Sequence, residues 1–176
     1  MSLRTTRVSF SAIVFVLVGA CFASCVIGQN QLQIQDLSTF PRTTLEIHTK
    51  ADGQKFNVWV ADTPARQTQG LMFVRDLPSD EGMIFPNAKP RVASMWMKNT
   101  FIALDIIFVA PDGRIAKIAA KTTPHSLETI SSGQPISAVL ELKGGESARR
   151  GLKVGDLVSW SGGADSALGA HSKTTP

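Results

Sequence analysis

The chain has 176 residues, 43% of them hydrophobic, and carries 18 Lys plus Arg against 14 Asp plus Glu for a formal net charge of +4. That length suits about one domain able to build its own core, and so small a positive excess gives no ground for a nucleic-acid-binding protein. Both cysteines, Cys21 and Cys25, fall near the N-terminus, so any chain cut beyond them has no disulfide, thiolate metal site or cysteine nucleophile.

Residues 1–28 read as a secretory signal: Arg4 and Arg7 precede an apolar run over 8–20 that is too short to span a bilayer comfortably. The protein is therefore expected to be exported, periplasmic or secreted. Cleavage after Gly28 would leave a soluble chain beginning at Gln29. In the alternative, "VGAC" is a lipoprotein signal ending before Cys21, and only then would the protein sit at a membrane, anchored in the envelope through lipid. Loss of Arg4 and Arg7 leaves 16 basic against 14 acidic residues, or +2.

Residues 29–41 are amide-rich without a sustained period and read as a flexible N-terminal segment; residues 161–176 are small, polar and Gly-rich and read as a disordered tail. Between them, 42–160 forms a single β-rich domain. Its first signal is alternation. In "QKFNVWV", Phe56, Val58 and Val60 share one face, and "ADG" at 51–53 turns the chain back onto "TTLEIHTK" as a hairpin. "DTPARQTQG" reads as a short helix, with Asp62 or Thr63 as N-cap, Pro64 in the first turn and Gly70 near the end. Strands follow at 82–85, 92–97, 104–110, 114–120, 136–142 and 156–160, with "PDG" at 111–113 as a tight turn and "GESARRGL" as a second turn of helix. Eight short strands with two small helices predict a mainly β fold, a compact sandwich or barrel-like single domain.

The residues that could carry chemistry gather around "MWMKNT". On a strand, Met95 and Met97 point one way and Trp96 the other. All methionines after the signal, Met72, Met83, Met95 and Met97, lie within 26 residues. Thioethers select Cu(I), so periplasmic copper binding is one reading, and flexible core filling by Met is the other. Asp105 interrupts "ALDIIFV" and Glu141 interrupts "AVLELK". An acid in such company faces solvent or is buried with partners. If buried, Arg75, Lys98, Asn99, Thr100 or a backbone turn would satisfy it. If the two carboxyls met, they could form an acid/base pair for hydrolysis of a glycan or cell-wall component. Trp59, Trp96 and Trp160, with no tyrosine in the chain, could form a stacking platform or belong to core and rim. His125 reads as a surface loop residue. No nucleophile elbow, P-loop, HExxH or dinucleotide-binding glycine pattern is present, and no cofactor or resident metal is expected.

Taken in order, "GLMFVRDLP", "GMIF", "MWMKNT" followed by "LD", "DGRI", "VLELKGG" and "GLKVGDLV" resemble the bacterial family called domain of unknown function 192. The resemblance implies a small exported or envelope β-rich domain of sandwich type and supplies no reaction. In the family, "GLM" is often followed one residue on by arginine; here Val74 holds that place and the arginine is Arg75. The combined expectation is a module, not an enzyme, that binds a small ligand or an envelope partner. Its site is expected at one rim through Lys98, Asn99, Thr100 and Asp105, with Arg75, Glu141 and Trp96.

Overall fold

The computed structural model describes residues 34–161. The proposed signal, both cysteines and nearly all of the proposed tail lie outside the described residues. The fold is mainly β, a single curled sheet of seven strands with two short helices. The strands are β1 (Arg42–His48), β2 (Gly53–Val60), β3 (Glu81–Met95), β4 (Leu104–Val109), β5 (Ile115–Ala119), β6 (Ile130–Lys143) and β7 (Leu157–Trp160); the helices are α1 (Pro64–Gln69) and α2 (Glu146–Arg149).

Across the sheet the order is β5-β4-β6-β3-β2-β1-β7. Neighbours are antiparallel except β2 and β3, which run parallel. A parallel pair requires a crossover, and residues 61–80 with α1 provide it. At the two ends of that order the sheet curls back on itself. Ile115 N–H donates to the Asp156 carbonyl (2.9 Å) and Val158 N–H to the Gly113 carbonyl (2.8 Å), so the start of β5 bridges to β7.

Seven strands form where eight segments were expected, because "GMIF" and "VASMWM" belong to one bent strand. Pro86 and Pro90 lie between them, and the pairing of β3 with β6 shifts register between Pro86 and Arg91. Proline cannot donate to the ladder, so the strand bulges there and then resumes. The β1–β2 hairpin forms as expected, with Leu45 opposite Phe56 and His48 opposite Gly53. Residues 35–41, expected as part of a flexible flank, instead pack on the domain. The Gln35 backbone exchanges two hydrogen bonds with the Gln69 amide (2.7 and 2.8 Å), and Phe40 is buried beneath the Arg66 guanidinium.

Strand parity separates two cores. Leu45, Phe56, Ile84, Ile107, Leu140 and Val158 fill the inner face of the curl. Met83, Phe85, Ile106, Phe108 and Val139 form the outer face of the central strands, covered by Leu71, Leu77 and Met97 from loops. Because β4 and β6 lie between both cores, every residue of β4 is buried. Burying an aliphatic side chain of this size contributes roughly 1.5–3 kcal/mol.

Candidate functional site

Asp105 and Glu141 are both buried on central strands, and the pairing of β4 with β6 sets their relation. Asp105 is opposite Leu142, and Ile106 is opposite Glu141. Residues directly opposite share a face, so the two carboxyls point to opposite sides of the sheet. The acid/base pair considered from sequence does not assemble.

On the inner face Asp105 is saturated. Its Oδ1 accepts from the backbone N–H of Lys121 (2.7 Å) and Gly145 (2.8 Å), and its Oδ2 from the N–H (2.8 Å) and hydroxyl (2.5 Å) of Ser147. Of the partners considered from sequence, the backbone turn is realised and Arg75, Lys98, Asn99 and Thr100 are not. The carboxylate caps α2, whose own N-cap, Gly145, has no side chain to do so, and ties it to the turn after β5.

On the outer face Glu141 is 4% exposed and has neither a hydrogen bond nor an ion pair to another described residue. Burial alone raises its carboxyl to a pKa of about 8. Its oxygens are not sealed in, since no buried side-chain oxygen among the described residues lacks both a partner and contact with open space. They open on a cleft of about 30 Å³, lined by Gln67 to Met72, Phe85, Met95, Trp96, Lys98 and Thr100.

Local chemistry builds that cleft. Thr63 caps α1 by accepting from Arg66 N–H (3.3 Å), with Pro64 in the first turn. The helix stops at Gly70, whose φ of 51° and ψ of −137° exclude a side chain readily. A Cβ there would lie 3.2 Å from Phe85 Cζ and 3.9 Å from Glu141 Oε2, so the absence of a side chain keeps the acid's roof open. Leu71 and Met72 then fold down onto the sheet. Phe73 N–H donates to the Asn99 carbonyl (2.9 Å), joining this loop to "MWMKNT".

In "MWMKNT" itself, Met97 is buried, Met95 packs against the outer core, and Trp96 is 49% exposed with Lys98 Nζ 5.3 Å from its ring centre. Asn99 forms the turn in a left-handed conformation (φ 57°), held in place as Thr100 N–H donates to the Met97 carbonyl (3.1 Å) and His125 N–H to the Thr100 carbonyl (3.1 Å).

Of the seven candidate ligand residues, Glu141, Trp96, Lys98 and Thr100 therefore share one cleft. Asn99 shapes its turn, Asp105 lies across the sheet, and Arg75 is exposed with its guanidinium 4.7 Å above the Phe101 ring. The one-residue displacement noted for Arg75 has a plain consequence: Val74 packs against the outer core and the arginine turns away from it. Of the methionines, Met72 and Met95 reach the cleft, while Met83 and Met97 are sealed in the core, and Met97 Sδ accepts the Thr122 hydroxyl at 3.1 Å. Trp59 and Trp160 do not join Trp96: Trp160 is buried in the inner core, and Trp59 packs at the outer core with Arg42 4.5 Å over its ring. Gln67 to Leu71 were not anticipated as site residues, and Met72 only as a thioether ligand for copper; the glycine ending α1 directly before Leu71 and Met72 was the available signal.

A larger groove, about 700 Å³, runs along the seam of the sheet past His48, Asp52, Arg114, Arg150, Lys153 and Asp156. Several of its charged groups are tied to the backbone: Arg114 donates to the Gly155 carbonyl (2.8 Å), Arg150 to the Ser79 carbonyl (2.8 Å), and Asp156 accepts from Lys153 N–H (2.8 Å). Size favours the groove. The buried acid, without a partner among the described residues, favours the cleft, and such a polar group in low dielectric is the stronger pointer to a ligand.

Fold and site define a small single-domain β protein with one curled sheet and a buried acid beneath a glycine-hinged loop. The chain belongs to the DUF192 family, whose model, described as "Uncharacterized ACR", matches residues 47–160. It is similar to a solved structure of a putative transcription regulator from Sinorhizobium meliloti 1021, at 35% identity over 70% of this chain and 96% of that one, with a TM-score of 0.68. It is also similar to a protein of unknown function from Novosphingobium aromaticivorans DSM 12444, at 39% identity over 73% and 91% of the two chains, with a TM-score of 0.69. No curated protein matches the chain.

Proposed function

We propose that the protein is an exported, non-enzymatic envelope module that binds a small ligand in the cleft over Glu141, with Trp96, Lys98 and Thr100 at the rim. One observation carries this reading: a carboxyl buried with no partner among the described residues opens on a cleft whose roof is kept clear by Gly70. Export is supported by the basic start and apolar run of residues 1–28. A binding role is favoured over hydrolysis because the second acid that such chemistry requires, Asp105, faces the other side of the sheet.

The test is a screen of small polar metabolites against the purified protein, read by amide chemical shifts. A ligand of this site perturbs Gly70 to Met72, Trp96 to Thr100 and Glu141 together, and Glu141→Gln alters its affinity. Perturbations confined to the seam groove around Arg114 and Lys153 would refute the assignment. Export and anchoring are tested separately: with signal cleavage after Gly28, fractionation places the protein in the periplasm or medium, and neither wild type nor Cys21→Ser takes up palmitate.

A further inference from the structure

Resting on the reading of the Glu141 cleft as a ligand site, we infer that the group it takes is a carboxylate, the head of a small organic acid held between the Glu141 carboxyl and the Lys98 ammonium. Size gives the first constraint. A volume of about 30 Å³ holds roughly two water-sized positions. That suits the two oxygens of one carboxylate, with the remainder of the ligand lying against the exposed face of Trp96.

Free polar valence gives the second constraint. Several neutral groups around the cleft already spend a donor elsewhere. The Thr68 hydroxyl donates to the Pro64 carbonyl (2.8 Å), the Thr100 hydroxyl to the Lys98 carbonyl (3.3 Å) and the Gln67 amide to the Pro86 carbonyl (3.0 Å), while the Gln69 amide bonds the Gln35 backbone at both ends. The charged groups on the cleft wall with no ion pair among the described residues are the Glu141 carboxyl and the Lys98 ammonium, the latter 5.3 Å from the Trp96 ring centre.

Charge decides between an anion and a cation. Lys98 is the charged group on the cleft wall besides Glu141. From the surrounding elements, Lys143 shares the face of Glu141 on β6 and is paired with Asp76 (3.3 Å); Arg66 of α1 is paired with Asp62 (2.6 Å); Asp105 faces the opposite side. With Glu141 neutral the cleft is therefore cationic. A carboxylate enters it by accepting the Glu141 O–H on one oxygen and the Lys98 ammonium on the other, with no proton transferred. A cation would have to ionise the buried acid and displace Lys98 as well.

The experiment uses the purified protein with carboxyl-labelled Glu and two probes, acetate and methylammonium, titrated by carbon NMR from pH 6 to 9. Acetate is expected to bind and move the Glu141 midpoint above its free value of about 8. Its affinity should fall about tenfold between pH 6 and pH 9, because roughly one molecule in ten keeps the required proton at the higher pH. Lys98→Met should weaken acetate about tenfold while Glu141 still titrates well above the ordinary carboxylate range. Glu141→Gln, whose amide still donates, should bind acetate with altered affinity and without pH dependence. If methylammonium binds with a lowered midpoint and acetate does not bind, the carboxylate assignment is overturned while the cleft remains a ligand site. If neither probe moves Glu141 or its cleft, and the metabolite screen is also silent there, the carboxylate assignment and the ligand site fall together.

Discussion

Replacing Glu141 by Gln tests the central structural claim without any ligand. The acid titrates near 4.5 in an unfolded chain and at about 8 in the folded protein. A raised midpoint means that the native state holds the proton more tightly than the unfolded state. The contribution to stability is then complete below pH 4.5 and is lost progressively as pH rises through 8. At 1.36 kcal/mol per pKa unit, the loss across that window amounts to about 5 kcal/mol, with about 3 kcal/mol already gone at pH 7. Against a typical total of roughly 5–15 kcal/mol this is a large fraction. Glutamine is nearly isosteric and does not titrate. Urea unfolding of both proteins from pH 5 to 9 should therefore show the stability difference moving in favour of Glu141→Gln by about 1.4 kcal/mol per pH unit up to pH 8, then levelling off. A difference that stays flat within about 0.5 kcal/mol over that range would mean that Glu141 keeps an ordinary carboxylate midpoint, and the buried, unpaired acid as described would not exist.

Gly70→Ala should destabilise the fold by about 1–3 kcal/mol in thermal unfolding, since the new methyl meets Phe85 at 3.2 Å on a left-handed backbone. Asp105→Asn turns an amide toward donors that need an acceptor, and should cost about 3 kcal/mol or more by urea titration. Because Asp105 lies across the sheet, the same variant should leave the Glu141 midpoint in place, as carbon NMR would show. Trp96→Ala should change stability by less than about 0.5 kcal/mol, its ring being half exposed, yet weaken any ligand that extends out of the cleft, as isothermal calorimetry would show.

Local signals specified most of the fold. Alternation in "QKFNVWV" with "ADG" before it defines the first hairpin, and Thr63, Pro64 and Gly70 delimit α1 by capping chemistry that acts within a few residues. Where the sequence reading divided β3 in two, the cause was also local: prolines at 86 and 90 are proper strand breakers by composition. Pairing to β6 on either side of the bulge carries the strand through them. Packing of residues 35–41 was not legible because it depends on one long-range amide, Gln69, meeting the Gln35 backbone.

The site was harder to read for a reason rooted in register. Alternation tells inside from outside only when one face of a strand is wet, and β4 and β6 have a core on each side. Sequence could show that Asp105 and Glu141 interrupt apolar strands, but gave no face for either. Asp105 pairs with Leu142 in this register; a slip of one residue would pair it with Glu141 and bring the two acids onto the same face. That one-residue offset separates a carboxylate fixed by four hydrogen bonds from one with no partner among the described residues beneath Gly70. It also moves the functional weight of "MWMKNT" onto Trp96, Lys98 and Thr100, the three of its residues that, with Met95, line the Glu141 cleft.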